Sequence, residues 1–272
     1  MGAESMFAGF NVTIEGTTIL EDFYFAKGRQ ISDSYGKAVK KSLEKYICNE
    51  KSINGSLMQE DWFPEVKTDI FLSHSRKNEK MIISLAGWLY EVFGLKSFVD
   101  SSIWGYSDDL LKIIDDEYCL QKKENFKTIY NYEKRNYSTS HVNMMLSMAL
   151  TKMIDNTECL FFINTPESIS VSETMDEYNT LSPWIYAELQ TSRLIRHKDL
   201  QEYRPAKYFD KDAVDVMNLQ IKYNVKLDHL TNINNNDLLY WMKNGGKNMC
   251  EYPLDVLYDY KNLLSKDQKV NY

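Results

Sequence analysis

The run Thr68-Asp69-Ile70-Phe71-Leu72-Ser73 is short and apolar, as is typical of a buried strand. Ser97-Phe98-Val99-Asp100 has the composition of a second short strand. Between them a helix is predicted, because Gly94 stands at the expected helix end and apolar residues share one stripe: Ile82, Leu85, Ala86, Leu89, Val92 and Phe93. Strand, helix and strand in such close succession predict a βαβ unit, and therefore a parallel sheet.

The same alternation continues further along the chain. The cleanest helical stripe consists of Val142, Met145, Leu146, Ala149, Leu150, Met153 and Ile154. It leads into Cys159-Leu160-Phe161-Phe162-Ile163, and a strand of apolar residues only is expected in the centre of a sheet. A polar loop from Asn164 to Leu181 precedes Ser182-Pro183, where Ser as N-cap and Pro at the first helical position predict a helix start. The predicted fold class is α/β, a parallel sheet flanked by helices.

The N-terminal part of the chain lies outside this alternation. Residues 1–65 are predicted to form an extension that packs against the α/β domain of residues 66–230. Residues 1–30 show no clear period. One amphipathic helix is expected over residues 31–47, where apolar side chains recur at helical spacing.

Three later segments also stand apart from the core pattern. Residues 104–138 are irregular, charged and rich in tyrosine, which predicts an insertion with one helix over Asp108–Leu120. Apolar and polar residues alternate over residues 219–227, which predicts a half-exposed strand near a sheet edge. Residues 231–272 are predicted to be a C-terminal extension with short helices over Asp237–Lys243 and Pro253–Leu264.

Composition narrows the classes of partner. The net charge of −7 over 272 residues, with lysines scattered among acids, argues against a nucleic-acid-binding protein, which needs a basic face. No segment approaches the roughly 18–20 apolar residues that span a bilayer. The N-terminus has neither a signal-peptide pattern nor a myristoylation pattern, so we expect a cytoplasmic protein. The four cysteines are far apart, which predicts reduced thiols and no metal site.

One segment has a spacing with chemical meaning: Ser182-Pro183-Trp184-Ile185-Tyr186-Ala187-Glu188-Leu189. Trp184 and Glu188 are four residues apart at the start of a helix, so their side chains share one face. A partly buried carboxylate beside an indole can stabilise positive charge that develops on a ribose. The alternative is an exposed glutamate and a structural tryptophan on an ordinary amphipathic helix, and spacing alone favours that alternative.

Four motifs in this order resemble those of the TIR (Toll/interleukin-1 receptor) domain family. They are residues 69–75, residues 97–100, residues 159–164, and the pattern Ser182-x-Trp184-x-x-x-Glu188-Leu189. The resemblance covers about residues 66–200. It implies a flavodoxin-like fold and, for the enzymatic branch, cleavage of the nicotinamide–ribose bond of NAD⁺ as substrate, without another cofactor. Glu188 falls on the family's catalytic glutamate, and Trp184 falls on the tryptophan that helps to form the nicotinamide pocket.

The resemblance also assigns substrate-binding roles to residues of two loops. The loop after the first strand would line the cleft with Ser73, His74, Ser75 and Arg76. Asp100 begins the segment that corresponds to the BB loop of the family, and Trp104 would close the pocket from it. Each of four residues also has a plainer interpretation. His74 could be a surface side chain, and Asp100 an acid that caps a turn. Trp104 could be a core or interface residue, and Arg76 a solvated cation. The segment between Asp100 and Val142 is longer than the corresponding TIR connection.

Three functions remain open at this point. A TIR protein without a recognisable second module resembles the signal-making TIR proteins of Thoeris anti-phage defence, which turn NAD⁺ into an ADP-ribose-derived messenger for a separate effector. The second is plain hydrolysis that depletes NAD⁺. The third is a non-catalytic adaptor that assembles with other proteins. The resemblance also implies a homo-oligomer.

Overall fold

The chain was analysed as a computed structural model that describes residues 8–14, 22–36, 46–49, 52–99, 101–124, 127–171, 178–180, 182–195, 223–224 and 227–264. The helices are α1 (Asp22–Gly36), α2 (Gly55–Trp62), α3 (Glu79–Phe93), α4 (Ser101–Ile114), α5 (Tyr132–Asn156), α6 (Pro183–Leu194), α7 (Asn235–Gly245) and α8 (Pro253–Tyr260). The strands are β1 (Ala8–Val12), β2 (Ile47–Asn49), β3 (Ser52–Ile53), β4 (Ile70–Ser73), β5 (Ser97–Val99), β6 (Leu120–Glu124), β7 (Lys127–Tyr130), β8 (Cys159–Ile163), β9 (Ser170–Val171), β10 (Tyr178–Thr180), β11 (Tyr223–Asn224) and β12 (Thr231–Ile233).

A five-stranded sheet in the order β12-β1-β8-β4-β5 organises the molecule. All four strand pairs are parallel. The predicted α/β class is confirmed, and so is the central place of β8, whose five residues are all buried. A strand with neighbours on both edges and helices on both faces has no solvent side, which is why its sequence is apolar throughout.

Two helical layers cover the sheet. Helices α1, α3, α7 and α8 pack on one face, around a cluster that includes Phe161 and Trp241. Helices α2, α4, α5 and α6 pack on the opposite face, around Phe71 and Phe162. Side chains alternate between these faces along each strand, as a pleated backbone requires. Below, the second surface is called the α6 face.

The N-terminus contributes a strand to the sheet interior, which differs from the extension that the sequence predicts for residues 1–65. Strand β1 lies between β12 and β8, and Phe10 and Val12 are fully buried. If β1 is counted as the fourth strand, the spatial order is the flavodoxin-like order 2-1-3-4-5. The strand order is therefore flavodoxin-like, with β1 in the place of the fourth strand.

The predicted N-terminal helix is displaced. Helix α1 begins at Asp22 rather than Ile31 and ends at Gly36, and Ile47 lies in strand β2. Residues 37–45 of the predicted helix lie outside the described residues. Helix α1 crosses α3 at close range, because a Cβ at Gly28 would overlap the backbone carbonyl oxygen of Ile83. The need for that close approach explains a glycine inside the helix.

The C-terminal helices belong to the same core as the sheet. Strand β12 pairs with β1, and Trp241 of α7 is fully buried, with its ring stacked 3.9 Å from that of Phe93. The Trp241 Nε1–H donates to the Pro253 carbonyl oxygen at 2.7 Å. Residues 231–264 therefore complete the α/β domain, whereas the sequence predicts a separate extension. Both predicted short helices are present: α7 extends two residues beyond each end of the predicted Asp237–Lys243, and α8 begins at the predicted Pro253 but ends at Tyr260 rather than Leu264.

The predicted insertion is shorter than residues 104–138. Helix α4 begins at Ser101, two residues after β5 ends, and Leu110 of α4 is fully buried on the α6 face. The irregular part is a π-helical turn, Asp115–Cys119, followed by the β6–β7 hairpin. Asp115 fixes this turn to α5 by accepting hydrogen bonds from Arg135 at 2.9 Å and Ser138 at 2.6 Å.

A second, antiparallel sheet in the order β11-β10-β9 lies between β8 and β12 in the sequence. Of the predicted strand over residues 219–227, Tyr223–Asn224 is described as strand β11, and residues 219–222 and 225–226 lie outside the described residues. None of the helices in the described part of the chain is long and apolar enough to cross a bilayer.

Candidate active site

The site begins at the carboxyl end of β4. Ser73 is the last residue of this strand and is fully buried. Alternation along β4 puts Ser73 on the same face as Phe71, which belongs to the cluster of the α6 face. The side chain at the strand end is therefore directed toward helix α6 rather than α3.

Helix α6 brings a carboxylate to the same point. The Ser182 side chain accepts a hydrogen bond from the Ile185 backbone N–H at 3.2 Å, and Pro183 occupies the first turn, as predicted. This start places Glu188 in the second turn with only 1% of its surface exposed. The Ser73 hydroxyl donates a hydrogen bond to the Glu188 carboxylate at 2.7 Å. A helix residue and a strand residue 115 positions apart are thus joined by a buried polar contact.

This contact is costly for the fold. A buried carboxylate loses several kcal/mol of solvation, and the hydrogen bond from the Ser73 hydroxyl contributes to offsetting that loss. The alternative of an exposed glutamate on an ordinary amphipathic helix is wrong, because Glu188 is buried. A buried acid that accepts a hydrogen bond at the carboxyl edge of a parallel sheet is typical of a functional position.

Trp184 lies one helical turn before Glu188 and is half-buried against the cluster of the α6 face. A small cavity of about 30 Å³ lies between α5 and α6. Its lining comprises Ser147, Leu150, Thr151, Ile154, Trp184, Ala187, Glu188 and Thr191. This space holds about one water molecule, whereas pockets for small ligands measure about 300–1,000 Å³. This cavity is therefore too small to bind a ligand the size of an aromatic ring.

The predicted loop residues differ in their placement. His74 is only 3% exposed, which excludes the surface interpretation, and its Nδ1 lies 3.1 Å from the Leu72 carbonyl oxygen. Ser75 is half-buried, and the exposed Arg76 begins a short 3₁₀ turn. Ser73 is the predicted loop residue whose hydroxyl donates to the Glu188 carboxylate.

The structure describes the two predicted BB-loop residues only in part. Asp100 lies outside the described residues. Trp104 lies within helix α4, because that helix starts at Ser101, and so the expected loop conformation at Trp104 is wrong. The sequence predicts a loop here from the resemblance alone, whereas helix α4 extends back to Ser101.

The loops after β4 and β8 are tied together beside Ser73. The Thr165 hydroxyl donates to the Asn78 side-chain oxygen at 2.7 Å, and the Asn78 amide donates to Glu167 at 3.4 Å. Hydrogen bonds from its own backbone N–H and from the Asn78 side chain hold the pKa of Glu167 below its ordinary value. These contacts fix the position of the carboxyl edge next to the buried acid.

A row of asparagines at the same edge is absent from the sequence predictions. Asn11, at the centre of the row, donates to Asn232 at 2.8 Å and accepts from Asn164 at 3.1 Å. No local signal in the sequence marks this row, because asparagine is depleted in strands and so the run from Ala8 to Val12 does not predict one.

Comparison of the chain with protein-family models, with curated proteins and with solved structures finds no match.

Proposed function

We propose that this protein is an NAD⁺-cleaving enzyme of TIR type in which Glu188 is the catalytic carboxylate and Ser73 positions it. The observation that carries the proposal is the buried Ser73–Glu188 hydrogen bond at the carboxyl end of β4. It is supported by Trp184, which lies one turn away on the same helix.

The chemistry needs a fixed negative charge and little else. The bond between the ribose C1′ and the nicotinamide nitrogen breaks, its electron pair leaves with nicotinamide, and positive charge develops on the ribose. Glu188 stabilises that charge electrostatically. Water then attacks C1′ and loses a proton, which gives ADP-ribose, or an internal nucleophile of the same molecule closes a cyclic product.

In this mechanism the Ser73 hydroxyl orients the Glu188 carboxylate. Its 2.7 Å contact holds one carboxylate oxygen, so the carboxylate does not reorganise when charge develops. The indole of Trp184 supplies an apolar wall for the nicotinamide side. Because the α5–α6 cavity holds only about one water, the proposal brings substrate in from the carboxyl edge of the sheet.

Formation of an ADP-ribose-derived messenger in bacterial anti-phage defence is the biological role that we propose, with a separate effector as reader and the cytoplasm as location. Plain NAD⁺ depletion is the alternative within the same chemistry. The adaptor function is less favoured, because a surface for protein contacts has no use for a carboxylate that is 1% exposed. A homo-oligomer remains part of the proposal.

The test is incubation of purified wild-type protein, Glu188→Ala and Ser73→Ala with NAD⁺, including concentrated samples, with mass spectrometry of the products. We expect nicotinamide release by the wild type, a loss of roughly 10²–10³-fold in Glu188→Ala, and a smaller loss in Ser73→Ala. ADP-ribose as the sole product would remove the messenger role. No nicotinamide at any concentration, with Glu188→Ala equal to wild type in cells, would leave the adaptor.

A further inference from the structure

Three side-chain amides form a continuous row across β8, β1 and β12. The Asn164 Nδ2 donates to the Asn11 Oδ1 at 3.1 Å, and the Asn11 Nδ2 donates to the Asn232 Oδ1 at 2.8 Å. Asn11 lies within β1, Asn232 lies within β12, and Asn164 directly follows β8. The row therefore runs across the strands, from the centre of the sheet to its edge.

The row lies on the same face as the Ser73–Glu188 contact. Phe10 and Val12 belong to the cluster under α3, so Asn11 between them faces the other way, toward the α6 face. The same alternation applies to Asn232, whose neighbour Ile233 belongs to the α3 side. Phe162 is the partner of both Asn11 and Ser73 in the strand register, which places these two residues about 10 Å apart, two strand spacings.

The chain leaves this part of the sheet in opposite directions. After β8 it continues to α6 on one face, whereas after β1 it continues to α1 on the other face. Diverging connections leave a crevice outside the carboxyl ends of neighbouring strands, where open α/β sheets bind their ligands. Asn11 of β1 and Asn164 after β8 lie at the carboxyl ends of these two neighbouring strands, and both are half-buried.

The row keeps hydrogen-bonding capacity at both ends. Each amide has two donor hydrogens and an acceptor oxygen. Within the described part of the chain, the Asn164 Oδ1 and the Asn232 Nδ2 have no hydrogen bond; Asn232 is exposed and Asn164 is half-buried. A purely structural role is poorly served by this arrangement, because asparagine weakens strands and half-exposed amide pairs add about 1 kcal/mol at most.

We infer that the asparagine row binds the adenosine monophosphate half of NAD⁺, an inference that rests on the proposed function. Adenine presents a donor and an acceptor side by side, which an asparagine side chain matches with its own acceptor and donor. A dinucleotide laid along the carboxyl edge then has its nicotinamide ribose at Glu188 and its other nucleoside at the row. Because nicotinamide mononucleotide has no adenine, contacts between the row and adenine make the protein prefer NAD⁺ over it.

Two measurements test this inference separately from the enzymatic activity. The first is calorimetric titration of adenosine monophosphate into the wild type, Asn164→Ala and Asn232→Ala. Asn156→Ala is the matched control, because Asn156 is an exposed asparagine with one side-chain hydrogen bond, to Glu65, at the amino side of β8. We expect about tenfold weaker binding in the two row variants and wild-type affinity in the control.

The second measurement asks whether adenosine monophosphate inhibits nicotinamide release from NAD⁺ competitively, as the inference requires. Equal affinity in all four proteins, no detectable binding, or binding without competition would overturn the inference. The absence of nicotinamide release would instead contradict the proposed function, and the binding titration would still decide whether the row is an adenylate site.

Discussion

The place of the N-terminal strand makes Phe10→Ala a decisive test of the fold. Phe10 is fully buried, with its ring centroid 5.4 Å from that of Phe161 and 6.2 Å from that of Tyr258. Removal of a buried phenylalanine side chain costs about 3–5 kcal/mol through lost burial and the cavity that remains. Since domains are stable by only about 5–15 kcal/mol, we expect a large loss, most of the stability if the protein is marginal.

Urea unfolding followed by circular dichroism measures this effect, with the slope of the transition as a check that the unfolding reaction is unchanged. Phe23→Ala is the matched control, because Phe23 is 63% exposed and its removal should change stability by about 0.5 kcal/mol or less. Phe10→Leu, which keeps most of the volume, should cost less than about 1.5 kcal/mol and remains measurable if Phe10→Ala does not fold. Equal, small effects of Phe10→Ala and Phe23→Ala would refute the place of β1 in the sheet interior.

Three further predictions concern other parts of the fold. Gly28→Ala should destabilise by about 1–3 kcal/mol in urea unfolding, because a Cβ would overlap helix α3, while Gly55→Ala has open space and should be neutral; equal effects would contradict the close helix crossing. Burial acts to raise the pKa of Asp237, but hydrogen bonds from Lys261 and a backbone N–H outweigh it and hold that pKa below 3.8. The contribution of this carboxyl to stability is therefore present above about pH 3.8 and is lost as pH falls through the folded-state pKa. The stability difference between wild type and Asp237→Asn should shrink in acid. A difference that does not depend on pH would argue against a lowered pKa of Asp237. Burial raises the pKa of the Cys159 thiol well above its ordinary value, so mass spectrometry should find it unlabelled by a thiol reagent in the native protein and labelled after unfolding; native labelling would show that β8 is accessible.

The sheet core is the part of the fold that the sequence predicts well. Strands β4 and β8 and helices α3 and α5 lie where their apolar runs and stripes place them, because these elements bury one face or both against the same core. Gly94 adopts the left-handed conformation that its position after the α3 stripe predicts. Local pattern and tertiary environment agree in all of these elements.

The sequence does not predict the N-terminal elements β1 and α1 correctly, for physical reasons. Strand β1 contains Gly9 and Asn11, residue types that are depleted in strands, so it does not have the composition that marks a buried strand. Helix α1 contacts α3 through the missing side chain of Gly28 rather than through large buried apolar residues. Close backbone approach leaves little trace in a hydrophobic pattern.

The candidate site is predicted in part. The resemblance places Ser73 and Glu188 near one cleft, and the structure joins them by a hydrogen bond. The asparagine row could not be predicted, because lateral strand order decides that residues 11, 164 and 232 are neighbours. Parallel strands from distant parts of a sequence carry no local signal of their pairing.

The most direct test of the central claim compares two buried glutamates in one assay. Glu158 is also buried and accepts a hydrogen bond from a hydroxyl, that of Tyr258 at 3.3 Å, but it precedes β8 at the amino edge of the sheet. Rates of nicotinamide release from NAD⁺ are measured for Glu188→Gln and Glu158→Gln, with thermal unfolding to confirm that both fold. The account predicts a loss of roughly 10²–10³-fold in Glu188→Gln and a rate close to wild type in Glu158→Gln. Equal rates in the two folded variants would contradict it.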